Sequence, residues 1–296
     1  DFLRSKRKVK AIIQDFQPQV AVGVGGYASA PTLNAAYSMG IPCLIQEQNS
    51  YAGVTNRSLA KKAQKICVAY SGMERFFPAD KIIMTGNPVR QNLLENQTSQ
   101  EEARQSFGLE PDKKTVLIVG GSLGARAVNE SVLAHLDDIR KSNVQFIWQT
   151  GKYYSQSISE ALEKSEAVPN LKVMDFIGCL DYAYAAADLV VSRAGACSMS
   201  ELCLLGKPCV LVPSPNVAED HQTQNALALS SKDAAIFVAD KEAKEKLVQT
   251  ALETVTNDER LLSLSENVKK LAFLNSSDII AEEVYKLAVE YKKRNN

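Results

Sequence analysis

The sequence predicts an α/β fold built on parallel sheets, and three observations carry that reading. Short β-branched runs alternate with longer stretches of helical periodicity along almost the whole chain. Three of those runs end in a glycine-containing turn that opens a helix. The 296 residues are 45% hydrophobic and 23% charged, enough apolar content to bury a core in two domains or one large one.

The elements follow in order. The opening DFLRSKRKVKAIIQDF reads as an amphipathic helix with Val9, Ile12, Ile13 and Phe16 at helical spacing. Strands are predicted over 20–24, 42–46, 65–69 and 81–85, with helices over about 30–39 and 53–64. The stretch 87–114 breaks the alternation with Asn87-Pro88, a polar run and Pro111-Asp112, and reads as an inter-domain region. A second series of strands follows over 115–121, 144–149, 171–176, 188–192, 208–213 and 234–239. Helices separate them, and helices over about 241–255, 258–273 and 277–293 close the chain. The picture is two Rossmann-like domains with a cleft between them.

Composition removes several function classes. Lys+Arg and Asp+Glu both count 34, so the net charge is zero and general nucleic-acid binding is not expected. No apolar run approaches the ~18–20 residues of a membrane span. The first residues are charged and lack the apolar core of a signal peptide. Cys43, Cys67, Cys179, Cys197, Cys203 and Cys209 are scattered without a CxxC pair, which suits reduced thiols in a cytosolic protein.

The glycine turns lie at 22–31, 119–126 and 191–201. Glycine lets backbone approach an oxyanion, and the N-terminus of the following helix favours a phosphate. One such turn can be a tight-turn requirement alone; three point to a phosphate-bearing ligand. None has the GxGxxG or GK[ST] spacing of a dinucleotide or P-loop site. In the third, Glu201 lies about one turn into a helix that begins near Ala196. It suits either a ribose diol or the helix dipole.

GVGGYASAP, EQNSYAGVTN, TGNPVR, GGSLGAR, SRAGACSMSE and EDHQTQNA occur in this order. Together they resemble the bacterial MurG family over essentially the whole chain. The resemblance implies a GT-B glycosyltransferase fold. It also implies transfer of GlcNAc from UDP-GlcNAc to the MurNAc C4 hydroxyl of lipid I, with inversion, in peptidoglycan synthesis. It implies an acceptor and membrane-side domain over 1–91, a UDP-GlcNAc domain over 92–275, and a helix over 276–296 packing back on the first. By the same resemblance Asn49 and Arg90 are donor contacts, Ser122 meets the diphosphate and the Ile177 backbone reads uracil. Ala196, Cys197, Ser198, Met199 and Ser200 form the nucleotide-sugar loop, with Glu201 on the ribose. Gln222 and Asn225 face the GlcNAc. Cys197 is expected to react with alkylating reagents.

No D-x-D pair is present, so the expected site needs no metal, and no cofactor is expected. His135 reads as a packing or surface residue in a helix, and His221 as a donor-site contact. Family members begin with a further glycine-rich segment carrying a histidine, so this chain is expected to be a fragment with little activity alone. Many members have His where Gln46 stands. Glu47 is then the candidate base or acceptor-orienting group, a structural carboxylate being its alternative. Arg4, Lys6, Arg7, Lys8 and Lys10 beside Phe2 and Leu3, with Tyr37 and Met39, suit contact with the anionic cytoplasmic face of the inner membrane. Other cell-wall synthesis proteins are possible partners. The competing readings are another GT-B enzyme, such as a glycolipid synthase or UDP-GlcNAc 2-epimerase, and a non-catalytic nucleotide-sugar-binding protein.

Overall fold

The computed structural model describes residues 2–90 and 92–295, the side chains of Phe2, Leu3 and Asn92 excepted. The chain forms two compact units. One runs to Val89 and resumes at Phe273; the other spans Arg90–Ala272.

The first unit starts with α1 (Phe2–Phe16), then β1 (Ala21–Gly23), α2 (Ser29–Ser38), β2 (Cys43–Glu47), α3 (Val54–Leu59), β3 (Lys65–Val68) and β4 (Ile82–Met84). Its four strands are parallel in the order β1-β2-β3-β4. Every residue of β2 is buried, as expected of a strand covered on both faces. Ile45, Ile66 and Val68 pack with Leu33, Ala36 and Leu59 from the helices. Among the described side chains of α1 only Ile13 is buried, while Ile12 and Phe16 are exposed. The apolar spacing of that helix therefore mixes a core contact with two solvent-facing side chains.

The second unit holds α4 (Asn92–Glu95), α5 (Gln100–Ser106), β5 (Thr115–Val119), α6 (Arg126–Ala134), α7 (Leu136–Lys141) and β6 (Gln145–Gln149). Then come α8 (Ser155–Glu163), β7 (Leu171–Met174), α9 (Leu180–Ala186), β8 (Leu189–Ser192), α10 (Ala196–Leu205) and β9 (Cys209–Leu211). It ends with α11 (His221–Ser230), β10 (Ile236–Phe237), α12 (Ala243–Val255) and α13 (Asp258–Lys269). Its six parallel strands run β10-β9-β8-β5-β6-β7. Read from β7, this is the 3-2-1-4-5-6 order of a dinucleotide-type sheet. The single tryptophan, Trp148, is fully buried among Ile118, Phe146, Val191 and residues of α12.

The final helix α14 (Ser276–Asn295) belongs to the first unit, where Leu287 packs on Leu44 and Cys67. Gly86 explains how tightly it starts: φ is +73°, and a Cβ there would lie 2.3 Å from Phe273 Cβ.

The stretch read as inter-domain is instead largely part of the second unit, and it carries a helix. Ser99 and Glu102 form a reciprocal capping box at the start of α5. Arg104, buried in that helix, donates from Nη2 to Asp188 Oδ2 at 2.6 Å and from Nε to the Ala186 carbonyl at 3.1 Å. The polar run thus folds because its charges are spent on capping and on clamping the start of β8. Among the described residues no helix is long and apolar enough to cross a membrane.

Candidate active site

In an open parallel sheet, ligands sit at the carboxyl ends of the strands where the strand order reverses. In the second unit that reversal lies between β5 and β8. The second and third glycine turns are the segments that leave those two strands. Gly121 and Gly124 take φ of +89° and +87°, which only glycine adopts without strain. Ser122 is exposed in this loop. The helix α6 that follows, and α10 after the third turn, both start without a capping side chain. Their first-turn N–H groups remain available to an anion.

A glycine outside the turn packs closely against the β5 loop. Gly151, just after β6, has φ +82° and faces Gly124 so closely that a Cβ on it would lie 2.1 Å from the Gly124 nitrogen. Asn129 Nδ2 donates to the Thr150 carbonyl at 2.8 Å, and Trp148 Nε1 donates to Asn129 Oδ1 at 3.1 Å. Gln149 Nε2 donates to the Gly121 carbonyl at 3.0 Å, while its Oε1 accepts from the Ile177 N–H at 2.9 Å. This buried glutamine couples the phosphate-type loop to the loop after β7. It also occupies the N–H of Ile177, the residue expected from the resemblance to meet uracil. The sequence reading did not single out Gln149 or Gly151. The glycine after β6 was a signal on offer, whereas the crossing of two loops has no local pattern.

Residues 196–200 form the start of α10, with Met199 fully buried and Cys197 exposed. Partial desolvation of the thiol against its neighbours, then the charge of Glu201, pushes Cys197 above its ordinary value, although the residue as a whole is exposed. Glu201 is buried in α10. Its Oε1 accepts from Arg90 Nε at 3.2 Å and its Oε2 from the Tyr184 hydroxyl at 3.0 Å. A buried carboxylate needs such partners. Sequence reasoning paired neither of them with Glu201, since Arg90 and Tyr184 are distant along the chain.

Gln222 and Asn225 lie on α11. Gln222 Oε1 accepts from the Ser214 N–H at 2.9 Å, which anchors the loop after β9. Asn225 is fully buried and donates to the Ala194 carbonyl at 3.3 Å, tying α11 to the third glycine turn. Its geometry is that of a brace under the loop rather than an open sugar contact. Just before α11, Glu219 and Asp220 take φ of 56° and 50°, a conformation that strains residues with a side chain. His221 stands at the start of α11, with Nδ1 2.8 Å from the Ala218 carbonyl. His135 lies in the turn between α6 and α7 rather than within a helix, with Nδ1 2.9 Å from the Ser131 carbonyl.

Glu47 and Asn49 belong to the first unit. The base role expected for Glu47 does not fit its surroundings. Its side chain is buried, and one oxygen accepts from the Asn49 N–H at 3.1 Å and Asn49 Nδ2 at 3.4 Å. The other accepts from the Gly53 N–H at 3.1 Å and Asn56 Nδ2 at 2.8 Å. Four donors aimed at one carboxylate make it the organiser of the 48–53 loop. Gln46 donates to Asn87 Oδ1 at 2.8 Å, and Asn87 Nδ2 to the Gln48 carbonyl at 2.9 Å, joining the EQN and GNPVR motifs.

Comparison with known proteins agrees with this geometry. Residues 115–282 match the glycosyltransferase family 28 C-terminal domain and residues 1–68 the family 28 N-terminal domain. A Bacteroides fragilis UDP-N-acetylglucosamine–N-acetylmuramyl-(pentapeptide) pyrophosphoryl-undecaprenol N-acetylglucosamine transferase is 63% identical over 287 residues, covering 97% of this chain and 76% of that protein. The crystal structure of MurG from Acinetobacter baumannii superposes with a TM-score of 0.77 at 28% identity, over 96% of this chain and 80% of that one. A UDP-GlcNAc 2-epimerase from Neisseria meningitidis gives a TM-score of 0.70 at 17% identity, over 96% and 81% of the two chains, a likeness of fold alone.

Proposed function

Because the chain belongs to glycosyltransferase family 28, in its MurG branch, we infer that it is an N-acetylglucosaminyltransferase acting in peptidoglycan synthesis. It moves GlcNAc from UDP-GlcNAc to lipid I, giving lipid II. The observation that carries this reading is the β5–β8 switch point, which has a glycine turn on each side and a buried carboxylate one turn into α10. The Bacteroides fragilis transferase shares 63% identity with the chain, while the epimerase shares 17%. The competing readings of the sequence are therefore not favoured.

The chemistry follows from the residues. The acceptor C4 hydroxyl gives up its proton to a base and its oxygen bonds the sugar's anomeric carbon, as the bond from that carbon to UDP breaks. Negative charge grows on the leaving diphosphate. The N–H groups that open α6 and α10 and the Ser122 hydroxyl are the donors proposed to meet it. Glu201 is the proposed ribose acceptor and Arg90 a donor contact beside it. Ile177 is proposed to offer its carbonyl to uracil. Gln222, fixed through its Oε1, is proposed to offer its amide N–H to GlcNAc hydroxyls. Asn49, held by Glu47, is proposed as a donor contact from the first unit.

The acceptor is a membrane lipid, so the enzyme is proposed to work at the cytoplasmic face of the inner membrane as a peripheral protein, beside other cell-wall synthesis proteins. Exposed Ile12 and Phe16, one turn apart on α1, support an interfacial contact, with Arg4, Arg7 and Lys8 exposed on the same helix. The expected contribution of Phe2 and Leu3 lies outside the described residues. The reading is tested by following labelled GlcNAc from UDP-GlcNAc into lipid I, with slow entry of label into the lipid as the expected result. Release of free N-acetylmannosamine instead would identify an epimerase.

A further inference from the structure

Glu201 carries the ribose reading, yet a carboxylate on a helix can point several ways. Its two oxygens have unlike partners. Arg90, on Oε1, has a side chain 51% exposed, so the guanidinium can leave for water at little cost. Tyr184, on Oε2, is buried within α9 and packed into the second unit. Burial, then the Glu201 charge, pushes the Tyr184 phenol far above its ordinary value. It therefore stays a hydrogen-bond donor at neutral pH.

We propose that Tyr184 is the positioning residue of the nucleotide site: its hydroxyl clamps Oε2 of Glu201 so that Oε1 is presented to the ribose hydroxyls. This rests on the assignment of Glu201 to the ribose. Without nucleotide, Arg90 holds the presented oxygen. With nucleotide, a ribose O–H donates to that oxygen in place of, or beside, the Arg90 N–H, and the carboxylate is never left unpaired. The clamp also makes the site selective. A nucleotide lacking the ribose hydroxyls leaves a fixed acceptor with one donor fewer, a loss that a swinging carboxylate would relieve by turning elsewhere.

The test is calorimetric titration of UDP and 2′,3′-dideoxy-UDP into the wild type, Tyr184→Phe and Glu201→Gln. The wild type is expected to bind the dideoxy analogue about tenfold more weakly than UDP, the worth of one hydrogen bond to a charged acceptor. In Tyr184→Phe that ratio is expected to fall to about threefold or less, because the acceptor is no longer held. A folded Tyr184→Phe protein that keeps the wild-type ratio overturns the proposal. If Glu201→Gln keeps it too, the ribose assignment itself falls; if only Glu201→Gln loses it, the role of Tyr184 alone falls. Should Tyr184→Phe not fold, the wild type decides with 13C-tyrosine placed at 184 alone. Its Cζ resonance is expected to move with UDP and to hold still with saturating dideoxy-UDP. Equal movement with both overturns the proposal.

Discussion

Two carboxylates show how the same side chain takes different work from its surroundings. Glu47 has four donors, three from the loop that follows it and one from Asn56 in α3; Glu201 has one fixed and one exchangeable partner. Glu47→Gln is therefore expected to act on stability. An amide cannot accept at both ends, and the loss is about 2–3 kcal/mol for buried donors left unpaired. Urea unfolding would show it as a lower midpoint. Unchanged stability with turnover abolished would return Glu47 to the role of a base. The spacing of Glu201 from a helix start was readable, but it left a ribose contact and a helix-dipole partner both open. Glu47 was likewise open between base and structural carboxylate, because burial and the convergence of Asn49, Gly53 and Asn56 are properties of the folded chain.

At the scale of elements, strand positions were readable because parallel strands buried on both faces are nearly continuous apolar runs, as in β2, β5 and β8. The helix α5 was missed within a polar run, although the Ser99-x-x-Glu102 pattern was there to be read. The glycine turns after β5 and β8 were readable; the crossing of Gly124 with Gly151 was not. That crossing can be probed against a control. Gly72 also has positive φ, at +76°, but nothing within 4 Å of a Cβ. Gly72→Ala is expected to cost about 1 kcal/mol, from the left-handed backbone alone. Gly151→Ala is expected to cost more than about 3 kcal/mol and to weaken UDP binding as well, since the added atom displaces backbone. Equal losses of stability in the two variants would show that the two loops do not constrain each other.

For the whole molecule, a net charge of zero hides where the charges stand. Arg4, Lys6, Arg7, Lys8 and Lys10 lie together on α1, and Lys292, Lys293 and Arg294 close α14 in the same unit. Each such residue near an anionic bilayer contributes about 1 kcal/mol, screened by salt. Replacing Arg4, Lys6, Arg7 and Lys8 with Ser, or Ile12 and Phe16 with Ser, is expected to lower sedimentation with anionic vesicles by at least about tenfold in partition coefficient. The first set should lose its effect at high salt and the second should not. Sedimentation unchanged in both would remove α1 from the membrane-facing surface.

The β5–β8 switch point is the proposed binding site of UDP-GlcNAc. Calorimetric titration of UDP-GlcNAc into the wild type and Glu201→Gln measures that binding. Saturable binding is predicted for the wild type, with the Kd raised about tenfold or more in Glu201→Gln. A folded wild type that does not bind UDP-GlcNAc, or a Glu201→Gln variant with unchanged Kd, would contradict it.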